Sequence, residues 1–427
     1  MRVLWSVFIT FPEVAELIKR KPEYACTWVR ALADQLRIRD DFQLAVVSAA
    51  DGDEMQKYEI KNITFYFLPN RKKVIKNGGG IKTKNIWKKI ISDFAPDIIH
   101  VHGTESMICY ELIMQKPNIP IFVTLQGVLT NYYRHEYGGI EMKDIISTTT
   151  VRDIVRLSGI ILDKRKLKKR MKFEQDMLLN VEYVGGRTLW DKTSVLRINP
   201  NLNYLNSPEL IRKSFYDTER WNIKNIKRHR IFMHQGFKPI KGFHYLIEAL
   251  SILKQKYPDI EVYMSGTNIL GKTSLKQKFL QTGYAKYLSK LIKKYDLKGC
   301  VHFTGIIDET EIVKELKAAH VMVLPSSIEN SPNSLLEAML VGVPCVASFV
   351  GGIPEMLKDN EQGFLYCYNE PGMLAEYISQ LFESDYLAEK FSKASYYISR
   401  EKQSVDYVVE TTLNNYMKII NNKSTLK

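Results

Sequence analysis

Two glutamates eight positions apart, Glu329 and Glu337, stand in the stretch of this chain best equipped for chemistry, residues 321–355. Residues 321–325 are apolar, closed by Pro325, and read as a short buried strand. A polar loop, 326–333, follows and carries Glu329. The spacing then predicts a helix from about Ser334, with Ser331 as cap, Pro332 as a first-turn residue, and Leu335, Leu336, Met339 and Leu340 as its apolar stripe. Gly342 ends that helix, and 344–347 reads as the next strand. Small polar residues running into a helix N-terminus (Glu329, Asn330, Ser331, Pro332, Asn333, Ser334) present backbone N–H groups and a positive dipole end, which suit phosphate. The carboxylate of Glu337, one turn further in, can accept two hydrogen bonds from a ribose diol. The stretch is shaped to hold a nucleoside diphosphate.

Elements must position those groups, and the chain is long enough to supply them. It has 427 residues, 45% apolar and 25% charged, which is ordinary globular composition with room for two domains. A net charge of +14 points to an anionic partner: nucleic acid, an anionic membrane surface or phosphorylated ligands. Five scattered cysteines with no C-x-x-C pair indicate neither a disulfide framework nor a zinc site. The first residues lack a signal-peptide pattern, and no apolar run is long enough for a membrane span. The expectation is a cytoplasmic protein, with contact at the inner face of the membrane left open.

Along the first half, strands are predicted at 3–9, 44–48, 63–68, 96–103 (ending in a small, polar turn), 121–125 and 181–184, with a helix at 27–36. His100 and His102 share one face of their strand, and His102 stands at its carboxyl end, where parallel sheets collect ligands; Thr104 and Glu105 follow it. Arg187, after the last of these strands, is a candidate diphosphate contact. Asp51-Gly52-Asp53 is a literal D-x-D, a metal motif elsewhere, but Asp-Gly is also a strong turn dipeptide and the turn is preferred here. Two basic runs, eight cations in 71–89 and seven in 164–172, are either solvated faces or surfaces for anionic lipid headgroups. They lack the interleaved aromatics of a nucleic-acid platform, so nucleic acid is not expected. In the second half, Gly266 to Thr273 satisfies the Walker A pattern, Gly-(four residues)-Gly-Lys-Thr, after a predicted strand. No later strand ends in an aspartate suited to Mg²⁺, which counts against a P-loop NTPase.

The pattern Glu329-(seven residues)-Glu337, then Ala338-Met339 and Gly342-Val343-Pro344, resembles the signature of family 4 retaining glycosyltransferases, the glycosyl transferases group 1. The resemblance implies the α/β GT-B fold, two Rossmann-like doubly wound domains facing across a cleft. The implied division is 1–198, acceptor-binding; 199–230, linker; 231–396, nucleotide-sugar-binding; and 397–427, a final helix crossing back. It also implies a UDP- or GDP-linked sugar as co-substrate with no further cofactor or metal, and a saccharide or lipid-linked acceptor in bacterial surface polysaccharide synthesis. Donor residues carried over are Gly236, Lys238, Lys241, Gly305 and the 329–337 set, with Glu329, Lys241 and His102 nearest the chemistry. Gln126, Arg134, His135 and Arg187 are placed beside the sugar or the acceptor. The chain departs from the family at three places: Phe237 stands where arginine is usual, Gln126 where histidine is usual, and Tyr24 to Trp28 where a glycine pair is usual. Two alternatives stay open, the P-loop NTPase and a catalytically silent GT-B scaffold.

Overall fold

The computed structural model describes residues 1–21, 27–270 and 280–424. The chain forms two compact units, one comprising 1–130, 170–212 and 403–427, the other 131–169 and 213–402. Each is built on one sheet.

The first sheet has eight strands: β1 (Arg2–Ser6), β2 (Gln43–Ala49), β3 (Gln56–Ile60), β4 (Ile63–Leu68), β5 (Ile98–His102), β6 (Ile121–Thr124), β7 (Tyr183–Gly186) and β8 (Asn203–Asn206). Their order is β3-β4-β2-β1-β5-β6-β7-β8, parallel except for the β3–β4 hairpin. Side chains alternate between two apolar layers, as a sheet covered on both faces requires. Leu4, Ala45, Val47, Tyr66 and Leu68 face Trp87, Ile90 and Phe94 of the helix Ile81–Phe94. Val3, Trp5, Leu44, Val46, Phe65 and Phe67 face the helix Thr27–Leu36 and the C-terminal helix Val405–Ser424, through Leu32, Leu36, Tyr416 and Ile419.

The second sheet has six parallel strands: β9 (Arg230–His234), β10 (Glu261–Ser265), β11 (Val301–Gly305), β12 (Val321–Leu324), β13 (Cys345–Ser348) and β14 (Gly363–Tyr366), in the order β11-β10-β9-β12-β13-β14. In each sheet the strand order reverses once, between β1 and β5 and between β9 and β12. Those reversals open the crevices at the carboxyl ends where α/β sheets bind ligands.

Two parts of the expected layout differ. Residues 203–206, expected in a linker, form β8. Its Asn-Tyr-Leu-Asn sequence hides it, because an edge strand buries little and needs few apolar residues. Residues 131–169, expected with the first domain, pack with the second unit. One fastening is polar: His244, in the helix Phe243–Lys256, uses Nε2 on the Gly138 carbonyl at 2.9 Å and Nδ1 on the Tyr284 hydroxyl at 3.2 Å. Burial holds this imidazole neutral, its pKa lowered to about 4. Between pH 6.5 and 4 the unfolded chain therefore binds a proton that the native chain refuses, and the stability this group contributes is lost as pH falls through that window. His244→Gln keeps a donor for Gly138. It is expected to flatten the loss by up to about 1.4 kcal/mol per pH unit, read from denaturant midpoints at pH 6.5, 5.5 and 4.5.

Candidate active site

In the second unit, the two loops that leave β9 and β12 flank the crevice. The β12 loop carries Glu329, and the β9 loop carries Lys241. Lys241 Nζ lies 2.6 Å from Glu329 Oε1, and the Ser326 hydroxyl donates to the same oxygen at 2.7 Å. Glu329 is 6% exposed. Its ion pair is a charge-assisted hydrogen bond in a partly desolvated setting, where geometry is worth more than at an open surface.

Two glycines hold that loop in shape. Gly242, at φ +70°, brings its Cα so close to Pro325 that a Cβ there would stand 1.7 Å from the Pro325 carbonyl oxygen. Gly351, at φ +53°, does the same to the Glu329 carbonyl oxygen, also at 1.7 Å, and the neighbouring Gly352 N–H donates to that oxygen at 3.1 Å. Ser327 N–H donates to the Ile240 carbonyl at 2.9 Å, and the Ser348 hydroxyl to the Ser326 carbonyl at 2.6 Å. The 131–169 segment adds Tyr132, whose hydroxyl accepts from the Asn330 N–H at 3.1 Å. The carboxylate of Glu329 thus sits on a backbone pinned at several points.

The helix after the loop is Asn333–Val341, one residue earlier than expected. Its N-cap is Pro332, and no side chain caps it, so Ser331 does not take the capping role assigned to it. Glu337 is buried within this helix, 6% exposed. Gly236 is packed against Met264, where a Cβ would meet the thioether at 2.7 Å and the methionine side chain would have to shift. Lys238 is exposed and makes no ion pair among the described residues. Gly305 ends β11, two strands from the crevice, at φ +79° with open space around it. Arg134 and His135, expected in the first domain, lie in the second unit: Arg134 is exposed, and the His135 carbonyl accepts from the Ser327 hydroxyl at 3.5 Å. Burial, with Arg134 and Lys164 nearby, lowers the His135 pKa below its ordinary value.

In the first unit, His102 ends β5 and is 5% exposed. Its ring lies 3.8 Å from that of His100 and edge-on to Trp5 at 4.5 Å. His100 is fully engaged, with Tyr416 Oη at 2.6 Å and Thr124 Oγ1 at 3.0 Å. His102 Nε2 has no partner in the described residues, and burial lowers its pKa to about 3. A nitrogen that weakly basic can accept a hydrogen bond but is poorly matched to proton transfer near neutrality. Beside it, Glu105 Oε1 accepts from the Gly127 N–H at 2.9 Å, Oε2 is buried without a partner, and burial pushes the carboxyl up to about 7. Glu105 was visible in sequence only as a polar neighbour of the strand tip. Its burial was not.

Gln126 and Arg187 come together on a residue the sequence reading missed, Glu209. The Gln126 amide donates to Glu209, and Arg187 Nη1 lies 2.5 Å from Glu209 Oε2. Arg187 also donates to the Leu125 carbonyl at 3.1 Å. The Arg187 charge is therefore matched by a carboxylate within the first unit. Glu209 lay in the stretch read as linker, where nothing marked it. The D-x-D is an exposed bend in which Asp51 pairs with Arg20 at 3.3 Å. Tyr24, Ala25 and Cys26, at the place of the usual glycine pair, and Gly271, Lys272 and Thr273 of the Walker A pattern lie outside the described residues.

Comparison with known proteins gives this geometry a lineage. The family model for glycosyl transferases group 1 matches residues 217–397, and that for glycosyl transferase 4-like proteins matches residues 13–146. The amylovoran biosynthesis glycosyltransferase AmsK of Erwinia amylovora is 32% identical over 151 residues, 34% of each chain. The D-inositol 3-phosphate glycosyltransferase of Streptomyces griseus is 26% identical over 160 residues, 37% of this chain and 32% of that one. These matches span about a third of each relative's length. Among solved structures, sucrose-phosphate synthase from Thermosynechococcus elongatus is similar over 99% of this chain and 100% of that one, with a TM-score of 0.73 at 16% identity. Anabaena HepE in complex with UDP-glucose is similar over 98% and 100%, with a TM-score of 0.66 at 15% identity. With the two doubly wound sheets and the Glu329–Glu337 helix entry, these matches give the chain the GT-B fold and tie its residues 217–397 to the glycosyl transferases group 1 family.

Proposed function

We propose that the protein is a retaining, metal-independent glycosyltransferase. It moves a sugar from a UDP- or GDP-linked donor to a saccharide or lipid-linked acceptor in surface polysaccharide synthesis. The observation that carries this reading is the Lys241–Glu329 pair at 2.6 Å, set on the two loops that flank the β9/β12 strand reversal and beside an uncapped helix N-terminus. The name of AmsK and the UDP-glucose held by HepE support the donor and product classes.

On this reading the leaving diphosphate gains negative charge as the anomeric carbon becomes cationic. Lys241, the exposed Lys238 and the first N–H groups of the helix Asn333–Val341 stabilise that charge. Lys238 takes the place of the cation lost at Phe237. Glu329 holds hydroxyls of the transferring sugar and Glu337 those of the ribose. The acceptor proton passes to the donor's own phosphate oxygen, so no side-chain base is required, and His102 serves as a hydrogen-bond acceptor. The test is release of UDP or GDP from a panel of sugar nucleotides in the presence of oligosaccharide and lipid-linked acceptors. Release with at least one donor is expected; none with any donor leaves a silent scaffold.

The acceptor class extends the proposal to an anionic membrane at the cytoplasmic face. No helix among the described residues is long and apolar enough to cross a membrane. Residues 142–157 nevertheless expose Ile146, Val151, Ile154, Val155 and Leu157, each more than 60% accessible. The exposed cations Arg156, Arg165, Lys166, Lys168 and Lys169 stand in the same segment of the second unit, and the 71–89 run is mostly exposed on the first. Apolar side chains beside cations suit the headgroup region, where each nearby cation contributes about 1 kcal/mol. Binding to vesicles containing phosphatidylglycerol is expected to weaken as salt rises and to fall several-fold in Val155→Asp. Equal binding to phosphatidylcholine vesicles contradicts the membrane reading.

A further inference from the structure

The second unit has a cavity of about 400 Å³ that none of the donor residues line. Its walls are residues 139–144, the helix Phe243–Lys256 and the helix Gly283–Lys294. The volume falls within the roughly 300–1,000 Å³ typical of small-molecule sites.

The lining is built for a hydroxylated ring. Tyr245 and Tyr287 are 9% and 8% exposed, yet neither hydroxyl makes a hydrogen bond among the described residues. Glu248, half-buried between them in sequence, accepts none on its carboxylate. Three polar tips are thus left for an occupant, and leaving such groups unpaired is unfavourable. Tyr295 adds a third aromatic ring, with Lys294 Nζ 3.1 Å from its hydroxyl. Gly139, at φ +81°, clears room for the Tyr245 hydroxyl, which would stand 2.0 Å from a Cβ there.

Aromatic faces with carboxylates can also cage a cation. Here Lys290, 3.6 Å from Asp144, and Lys294 also line the space, and two ammonium groups repel a cationic guest. A neutral polyol suffers no such penalty. It can donate to Glu248, exchange hydrogen bonds with both tyrosine hydroxyls, accept from the lysines and lay its C–H face on a ring. We propose that this cavity is a saccharide-binding site, separate from the nucleotide loops, that takes one or two neutral sugar rings. The proposal stands on the cavity's own chemistry and goes beyond the transferase reading, since it requires no bound donor.

Saturation-transfer NMR on the full chain tests it, with D-glucose, D-galactose, D-mannose, maltose, cellobiose and lactose as probes. At least one is expected to bind, and Tyr287→Phe and Glu248→Gln, which keep shape, are each expected to weaken it by about tenfold. Binding of UDP or GDP, whichever the wild-type chain takes, and the circular dichroism spectrum should stay unchanged in both variants. No binding by any of the six, or binding that both variants leave intact, overturns the site. So does preferential binding of tetramethylammonium that depends on Glu248, which makes the cavity a cation cage. Sugar binding with neither UDP nor GDP bound keeps this proposal and sinks the transferase reading, so the two failures are distinguishable.

Discussion

Replacing Glu329 with glutamine is expected to lower turnover by roughly 10²–10³-fold while the protein stays folded. The amide side chain keeps the size of the original and an oxygen for the Ser326 hydroxyl, so the pinned loop retains its contacts. What disappears is the negative charge facing Lys241. A sugar hydroxyl then meets a weaker acceptor, and an anomeric carbon gaining positive charge loses a nearby carboxylate. Lys241 meanwhile is released from its partner and free to hold the diphosphate more tightly. The signature is therefore a split: kcat falls, while the donor KM is unchanged or lower. Steady-state kinetics across a donor titration reads both. A rise in KM at constant kcat assigns Glu329 to binding that the ground state and the transition state share equally.

The second large effect is on folding. Gly351→Ala places a methyl group 1.7 Å from the Glu329 carbonyl oxygen at a backbone angle, φ +53°, that alanine resists. The obstacle is backbone, which cannot rotate aside as a flexible side chain can. The variant is expected to lose roughly 3–5 kcal/mol, with donor binding lost in the fraction that folds. Gly242→Ala, opposed by the Pro325 carbonyl at the same distance, is expected to behave alike. Gly372→Ala is the control: its Cβ meets nothing within 4 Å, and the change is expected to stay within about 0.5 kcal/mol. Urea denaturation of the three variants checks the ranking. Near-native stability for Gly351→Ala contradicts the view that Glu329 is aimed by close backbone contact.

The strand–loop–helix around Glu329 was legible because its features are local. An apolar run stopped by proline, a small polar loop and a helical stripe ended by Gly342 all lie within a few turns of chain. The helix Thr27–Leu36 was read to the residue for the same reason. Illegible were contacts set by distance in sequence. Lys241 and Glu329 are 88 residues apart, and the resemblance brought both into the site while nothing local said that they pair. The use of Gly351 as a gap for a carbonyl 22 positions earlier is a tertiary fact that no local pattern shows. β8 was missed because an edge strand carries a polar sequence, and Glu209, just beyond it, was missed because the stretch was read as linker. Residues 131–169 were misplaced because chain order suggested the first domain, whereas Tyr132, Gly138 and Gly139 pack into the second.

Nucleotide binding by two variants tests the central claim most directly. UDP and GDP are titrated calorimetrically into the wild-type chain, Glu337→Ala and Lys272→Ala. If the loop after β12 and its helix hold the nucleotide, Glu337→Ala loses the binding seen in the wild type and Lys272→Ala retains it. Loss in Lys272→Ala with Glu337→Ala unaffected contradicts the account and assigns the nucleotide to the Gly266–Thr273 motif instead.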